Sequence, residues 1–525
     1  MNIWKTLIWK EFHEQKWKLL SLIGIVLAIL IAGLIESEGK DLVGVVAVIY
    51  SYVLLAPLYL GMGVSSGEQS SNSIGFVRTL PFSSWKIGLV RVVVGWFVLA
   101  IPLLVSMIVL MCAAAVLTRL GLLNPNTLQE LFIGRKVSAN FSLFLVHMLG
   151  LGVCTNLYAW IVAITVNQKS DLRAGLIGIV LIVLLFYVGM VSVSSASAPK
   201  SAGLVRLTIF SITPAFYLML DRFFQQPHLL FAFCIQAGTI ITLCAITARR
   251  YGGKRVLSLD FLNRFQFVPE QSQSKLGPPI KSARSSLFWM QYRQSIPVVV
   301  AGITVVLLLS GMEQMSQERS RFILDQFAPF MGCVLALIIG TGTFVHELEP
   351  NLYTFWRSRP ISPRRWFWLK YFAGAIVIVG CFDLPMTALH RITTHIPSPE
   401  LIHPMFRQEY YRELVLYGVS SIFPILLHLF VYSMAALAAC SVRHPVYSPI
   451  LAVCGALAII LGPEAIYSLH PISFLSAWGD VSSGHTGYDP WFALLAGPLI
   501  LGPFIIGGAT LSGWLIKKEI SLSPG

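Results

Sequence analysis

Apolar runs of about 20 residues return again and again along this chain, and they leave few folds open to it. A helix needs about 20 apolar residues to cross the hydrocarbon core of a bilayer, where backbone groups must bond within their own segment or a closed barrel. Twelve runs are predicted as transmembrane helices: 19–34, 42–64, 92–117, 141–166, 174–193, 229–245, 298–312, 327–345, 371–389, 414–438, 449–469 and 491–516. The run at 298–312 is short and needs neighbouring apolar residues to complete a crossing. Of the 525 residues 56% are hydrophobic and only 12% charged, about half the charged share of a soluble domain. A water-soluble fold of this length could not cover itself, so the expected class is an all-α polytopic membrane protein.

Eight cysteines lie in or beside these runs with no CxxC pair, which reads as small core residues and not as a disulfide or metal framework. Lys5, Lys10, Lys16 and Lys18 precede the first run and no small-residue cleavage site follows it, so the start reads as a retained signal anchor. Basic residues near span ends stay on the cytoplasmic side. Placing the start inside puts 26 of the 38 Lys and Arg on that side, so both termini are expected in the cytoplasm. The net charge of +14 is then mainly a topology signal and an attraction to anionic lipid headgroups, with no call for nucleic acid as a partner.

A polar stretch, 251–285, carries Gly252, Gly253, Gln271, Gln273 and Gly277-Pro278-Pro279 and reads as a cytoplasmic linker between two halves, 1–250 and 286–525. Shifting the second half back by 279 positions aligns Glu68 with Glu347, Asn72 with Asn351, Phe76 with Phe355, Arg78 with Arg357, Pro81 with Pro360 and Ser83 with Ser362. Lys86 then meets Arg365, and Arg91 meets Lys370. Each half also opens with an aromatic, polar lead-in: Trp9-Lys10-Glu11-Phe12 and Trp289-Met290-Gln291-Tyr292. Two six-helix halves with both ends inside are parallel repeats, and the chain reads as a covalent pseudo-dimer.

The repeated segment follows the second span of each half. On a helical wheel Ile74, Phe76, Val77 and Leu80 share one side, with Asn72, Gly75, Arg78 and Thr79 opposite. The second copy sets Tyr353, Phe355 and Trp356 against Asn351, Thr354, Arg357 and Ser358, and departs only at Arg359. Pro81 and Pro360 are expected to end these short amphipathic helices, because proline disfavours helical geometry in the residue before it. Ser83 and Ser362 then cap the next helix, with Pro363 in its first turn. Such helices often do no more than anchor in headgroups; duplication in register, each behind a glutamate, favours a handle on which a cytoplasmic protein pushes.

At these residues the chain resembles the membrane permease subunits of ATP-binding-cassette transporters, in their type-two exporter class. In that family a glutamate follows the second span, then an amphipathic coupling helix, then a Leu-Pro-x-Ser or similar turn. Glu68 with Thr79-Leu80-Pro81-Phe82-Ser83 and Glu347 with Ser358-Arg359-Pro360-Ile361-Ser362 match that pattern. The family's six-span half covers the chain twice, although its members' halves are usually separate, and the basic neighbours and Gly-Thr common after the glutamate are missing. The resemblance implies ATPase-coupling roles for Glu68, Phe76, Arg78, Pro81, Ser83, Glu347, Phe355, Arg357, Pro360 and Ser362. It also implies two copies of a cytoplasmic ATPase partner, which would hold ATP and Mg, and residence in a bacterial inner membrane. The chain has no GxxxxGK[ST] phosphate loop of its own: Gly39-Lys40 runs into Asp41, and Gly253-Lys254 into Arg255. It is therefore expected to be no enzyme and to bind no cofactor itself.

Ionisable residues inside spans are candidates for a substrate path. Asp383, His147 and His428 qualify, and Asp383 stands before Leu384-Pro385, where a broken helix would leave carbonyls needing partners. None of the three recurs in the other half at the shift of 279. Trp85, Trp366, Trp368 and Trp491 read as interfacial anchors. Two other classes compete: a twelve-helix secondary transporter, which would need no ATPase, and a non-transporting assembly or sensor protein. The first commonly carries an Asp-Arg loop where this chain has Gly67-Glu68-Gln69-Ser70-Ser71.

Overall fold

The computed structural model describes residues 3–36, 43–70, 83–120, 139–168, 171–194, 202–218, 229–251, 253, 283–315, 318–348, 362–393, 407–444, 447–466 and 490–518. Among these residues there is no strand, and the chain divides into two units, Met1–Leu257 and Ser258–Gly525. Among the described residues eight helical stretches are long and apolar enough to cross a membrane, and two shorter apolar helices accompany them. The protein is an all-α, multi-pass membrane protein. Eight of the twelve apolar runs fall on these eight stretches and two, 42–64 and 449–469, on the shorter helices, while 19–34 and 491–516 lie within the helices Ile3–Glu36 and Pro490–Lys518.

In the first unit α1 (Ile3–Glu36) carries the lead-in and the first apolar run as one helix, followed by α2 (Val43–Ser70), α3 (Ser84–Arg119), α4 (Ala139–Thr165) and α5 (Asp171–Ser194). Two short helices, α6 (Ala202–Ile212) and α7 (Ala215–Leu218), precede α8 (Leu229–Arg250). Within the unit α1 packs on α3, α2 on α4 and α5, and α8 on both α3 and α4.

The second unit holds α9 (Ala283–Met315), α10 (Glu318–Leu348), α11 (Pro363–Ile378), a π-helical turn (Val379–Asp383), α12 (Leu384–Thr393), α13 (Arg407–Val442), α14 (Tyr447–Ile466) and α15 (Pro490–Lys518). Here α9 packs on α11 and the π turn, α10 on α13, and α15 on both α11 and α13. The run at 298–312, short in the sequence, lies inside a helix of 33 residues.

Close helix approach rests on the same glycines in both units. A Cβ on Gly95 of α3 would stand 2.2 Å from the hydroxyl oxygen of Tyr158 on α4, and one on Gly374 of α11 would stand 2.3 Å from that of Tyr432 on α13. The Tyr158 hydroxyl donates to the Val92 carbonyl at 3.1 Å, and the Tyr432 hydroxyl to the Tyr371 carbonyl at 3.0 Å. Gly95 and Gly374 differ by 279 positions, as do Val92 and Tyr371, whereas the tyrosines differ by 274. Gly61 against Ile161 and Gly340 against Ala435 obey the same two shifts. A buried tyrosine must place its hydroxyl on a partner, and only a missing Cβ lets this one reach a helix carbonyl.

Candidate functional site

Polar side chains gather at two places. The first is the end of the first unit where α1 begins, α3 begins and α4 and α8 finish. The α1 lead-in is amphipathic: Glu11, Gln15, Leu19 and Leu22 are buried, while Trp9, Phe12, Trp17 and Leu20 are exposed. Arg91, about two turns into α3, sets its Nε 3.2 Å from both carboxylate oxygens of Glu11, and both side chains are only 8% exposed. Its Nη2 lies 3.7 Å from the half-exposed Glu14 carboxylate. The guanidinium also sits 5.5 Å over the ring of Tyr251, just past α8. Gln15 donates to Glu11 at 3.2 Å, and the Asn167 amide donates to the Arg250 carbonyl at 2.7 Å. Outside this core Trp4 meets Trp85 edge to face, with Lys86 Nζ 5.9 Å over the Trp4 ring.

In the second unit Lys370, aligned with Arg91, is likewise buried; its Nζ donates to the Thr343 carbonyl at 3.4 Å and lies 5.2 Å over the Trp366 ring. Both units therefore hold a buried cation near the start of the third long helix. Trp366, expected as an interfacial anchor, is buried against Phe344 of α10, because it lies on the inward face of α11. Trp85 is exposed as expected.

Glu68 falls in the last turn of α2, and Glu347 in the last turn of α10. Phe76, Arg78 and Pro81, and Phe355, Arg357 and Pro360, lie outside the described residues. Ser83 and Ser362 stand at the N-caps of α3 and α11 in nearly the same extended conformation, but only Ser362 caps with its side chain, accepting from the Arg365 backbone N–H at 3.4 Å. Pro363 occupies the first turn of α11, as expected. At Ser83 the expected side-chain cap is absent, and its carbonyl accepts from the Lys86 N–H at 3.0 Å instead.

The second place lies within the apolar helices of the second unit. Asp383 closes the π turn. Pro385 has no N–H to offer the carbonyl four residues before it, and the helix answers by widening, with the Leu384 N–H reaching back five residues to Val379. The helix is therefore re-routed and not broken at Leu384-Pro385, as the sequence had suggested. The widened turn aims Asp383 at α13, where its Oδ1 lies 2.6 Å from His428 Nδ1. The other ring nitrogen, Nε2, donates to the Pro329 carbonyl of α10 at 2.8 Å. Asp383 is 3% exposed and His428 1%. Gly332 makes room for the imidazole, since a Cβ there would stand 2.1 Å from its Cε1.

His147 belongs to the first unit, where it is buried and donates through Nδ1 to the Leu143 carbonyl of its own helix at 2.7 Å. The sequence thus named both members of the Asp383 and His428 pair without joining them. It missed the Arg91 and Glu11 clamp, for which two glutamates in the lead-in, Glu11 and Glu14, and an arginine at the head of the run 92–117 were the available signals.

These features define the class: a multi-pass helical membrane protein with two internally packed units and ionisable side chains held inside them. Neither a family model nor a curated protein matches the sequence.

Proposed function

We propose that this chain is the membrane permease of an ATP-driven exporter, with twelve spans in two parallel repeats of six and both termini in the cytoplasm of a bacterial cell. Two copies of a cytoplasmic ATP-binding-cassette ATPase dock on segments 71–82 and 351–361. ATP binding draws those segments together, and each passes the motion into its unit, so that access alternates between the two sides of the membrane. The observation that carries this reading is the duplicated segment from Glu68 to Ser83 and from Glu347 to Ser362, each copy set between a helix whose last turn holds its glutamate and a helix with its serine at the N-cap position. The recurrence of the Gly95–Tyr158 notch as Gly374–Tyr432 supports the reading of two copies of one bundle. The first unit also has a means of passing force onward: α3, which follows the docking segment directly, is clamped to α1 through Arg91 and Glu11.

The test is the double variant R78A/R357A, reconstituted with the ATPase. Hydrolysis continues while transport falls, and helical content is unchanged. Transport at the wild-type rate would remove the docking role. A proton-driven secondary transporter is the second reading, favoured by the buried carboxylate and imidazole of Asp383 and His428; transport that runs without ATP would select it.

A further inference from the structure

We infer that Asp383 and His428 form a proton site inside the second unit, in which one proton passes between imidazole and carboxylate as α13 closes on or leaves the π turn.

The Pro329 carbonyl can only accept, so His428 Nε2 carries a hydrogen. The remaining proton lies on the 2.6 Å line between Nδ1 and Asp383 Oδ1. With the pair in contact, the proton on Nδ1 makes an imidazolium and a carboxylate that neutralise each other. If the helices part in that state, two bare charges are left in an apolar interior, the most unfavourable outcome available to either group. If instead the Nδ1–H bond breaks and an Oδ1–H bond forms first, two neutral side chains separate. No proton enters or leaves, and charge balances at each stage.

Two features suit the carboxylate to taking that proton. Its second oxygen, Oδ2, is buried and has no hydrogen-bond partner among the described residues, whereas a carboxylate serving only as a permanent anchor is expected to have both oxygens satisfied. Among the described residues, the one titratable side chain besides Asp383 that acts on His428 is the Cys333 thiol of α10. The site is also confined to one unit. At the shift of 274 that matches the tyrosines, His428 corresponds to Cys154, whose thiol meets the Val53 carbonyl at 3.5 Å; at 279, Asp383 corresponds to Leu104. The first unit carries neither the acid nor the base.

Use of this site in a transport cycle rests on the chain being a transporter, whether ATP or a proton gradient drives it; the site itself does not. It is tested on the purified chain, without ATPase, by infrared difference spectroscopy and by ¹⁵N NMR of labelled histidine. In the wild type the expected result is an imidazolium at His428, with both ring nitrogens protonated, and no carboxylic C=O band that D383N removes. In H428L, where the partner is gone, a carboxylic band appears, and it vanishes in D383N/H428L. H428Q serves in the same way if H428L does not fold. A neutral imidazole in the wild type, or an ionised Asp383 in both His428 variants, overturns the proposal. Correct spectra with no ATP-driven transport would leave the proton site standing and count against the exporter.

Discussion

Replacing Arg91 by methionine removes the guanidinium and keeps most of the side-chain volume, so the loss reads the clamp between α3 and α1 directly. Arg91 and Glu11 are both about nine-tenths buried, with Nε 3.2 Å from each carboxylate oxygen. Removing one member of a buried pair leaves the other uncompensated, which costs about 3–5 kcal/mol. The Glu14 contact adds little, since that carboxylate is half exposed and the distance is 3.7 Å. The contact with the Tyr251 ring overlaps the same guanidinium and is not counted separately. R91M should therefore destabilise by about 3–5 kcal/mol. E11M/R91M removes both charges together and leaves the Gln15 amide without its Glu11 acceptor, so it should lose about 1 kcal/mol. Unfolding of the purified protein by SDS in mixed micelles measures both. A loss below about 1 kcal/mol in R91M, or a double variant as unstable as R91M, would mean that the buried pair does not clamp α3 to α1.

G95A and G374A should each destabilise by about 1–3 kcal/mol through overpacking against a tyrosine hydroxyl, and Y158F or Y432F should recover part of that loss in the same unfolding assay. G332A should expel the His428 ring and release its bond to Pro329, read as a changed histidine ¹⁵N spectrum with helical content preserved. S362A should weaken the start of α11 by no more than about 1 kcal/mol, because the cap is long at 3.4 Å, and S83A should change nothing measurable, because that serine makes no side-chain cap.

The helices were legible because hydrophobic length is a property of contiguous residues; 19–34, 141–166 and 414–438 needed nothing beyond their own composition. Side-chain pairings were not, since Arg91 and Glu11 come from helices 80 positions apart in the chain. Loop length hid part of the correspondence between the halves. The second is five residues shorter between Gly374 and Tyr432 than the first between Gly95 and Tyr158, so a single shift of 279 matches the glycines and loses the tyrosines. It also hides the alignment of Cys154 with His428. Asp383 stood out as an acid before a proline, but the π turn that aims it depends on how the helix absorbs the missing N–H. Ser83 and Ser362 show the limit in the other direction: identical residues in nearly the same backbone conformation differ in capping, a difference of side-chain placement that their shared identity does not carry.

If force enters the proposed exporter through two matching segments of one chain, the number of ATPase subunits held per chain follows. Coexpressed with the ATPase proposed to drive it and purified under ADP, the wild-type chain should carry two copies, by native mass spectrometry. Disrupting segment 71–82 or segment 351–361 alone should leave one, and disrupting both should leave none. Two copies retained after both segments are disrupted, or none held by the wild type, would rule out docking at these segments.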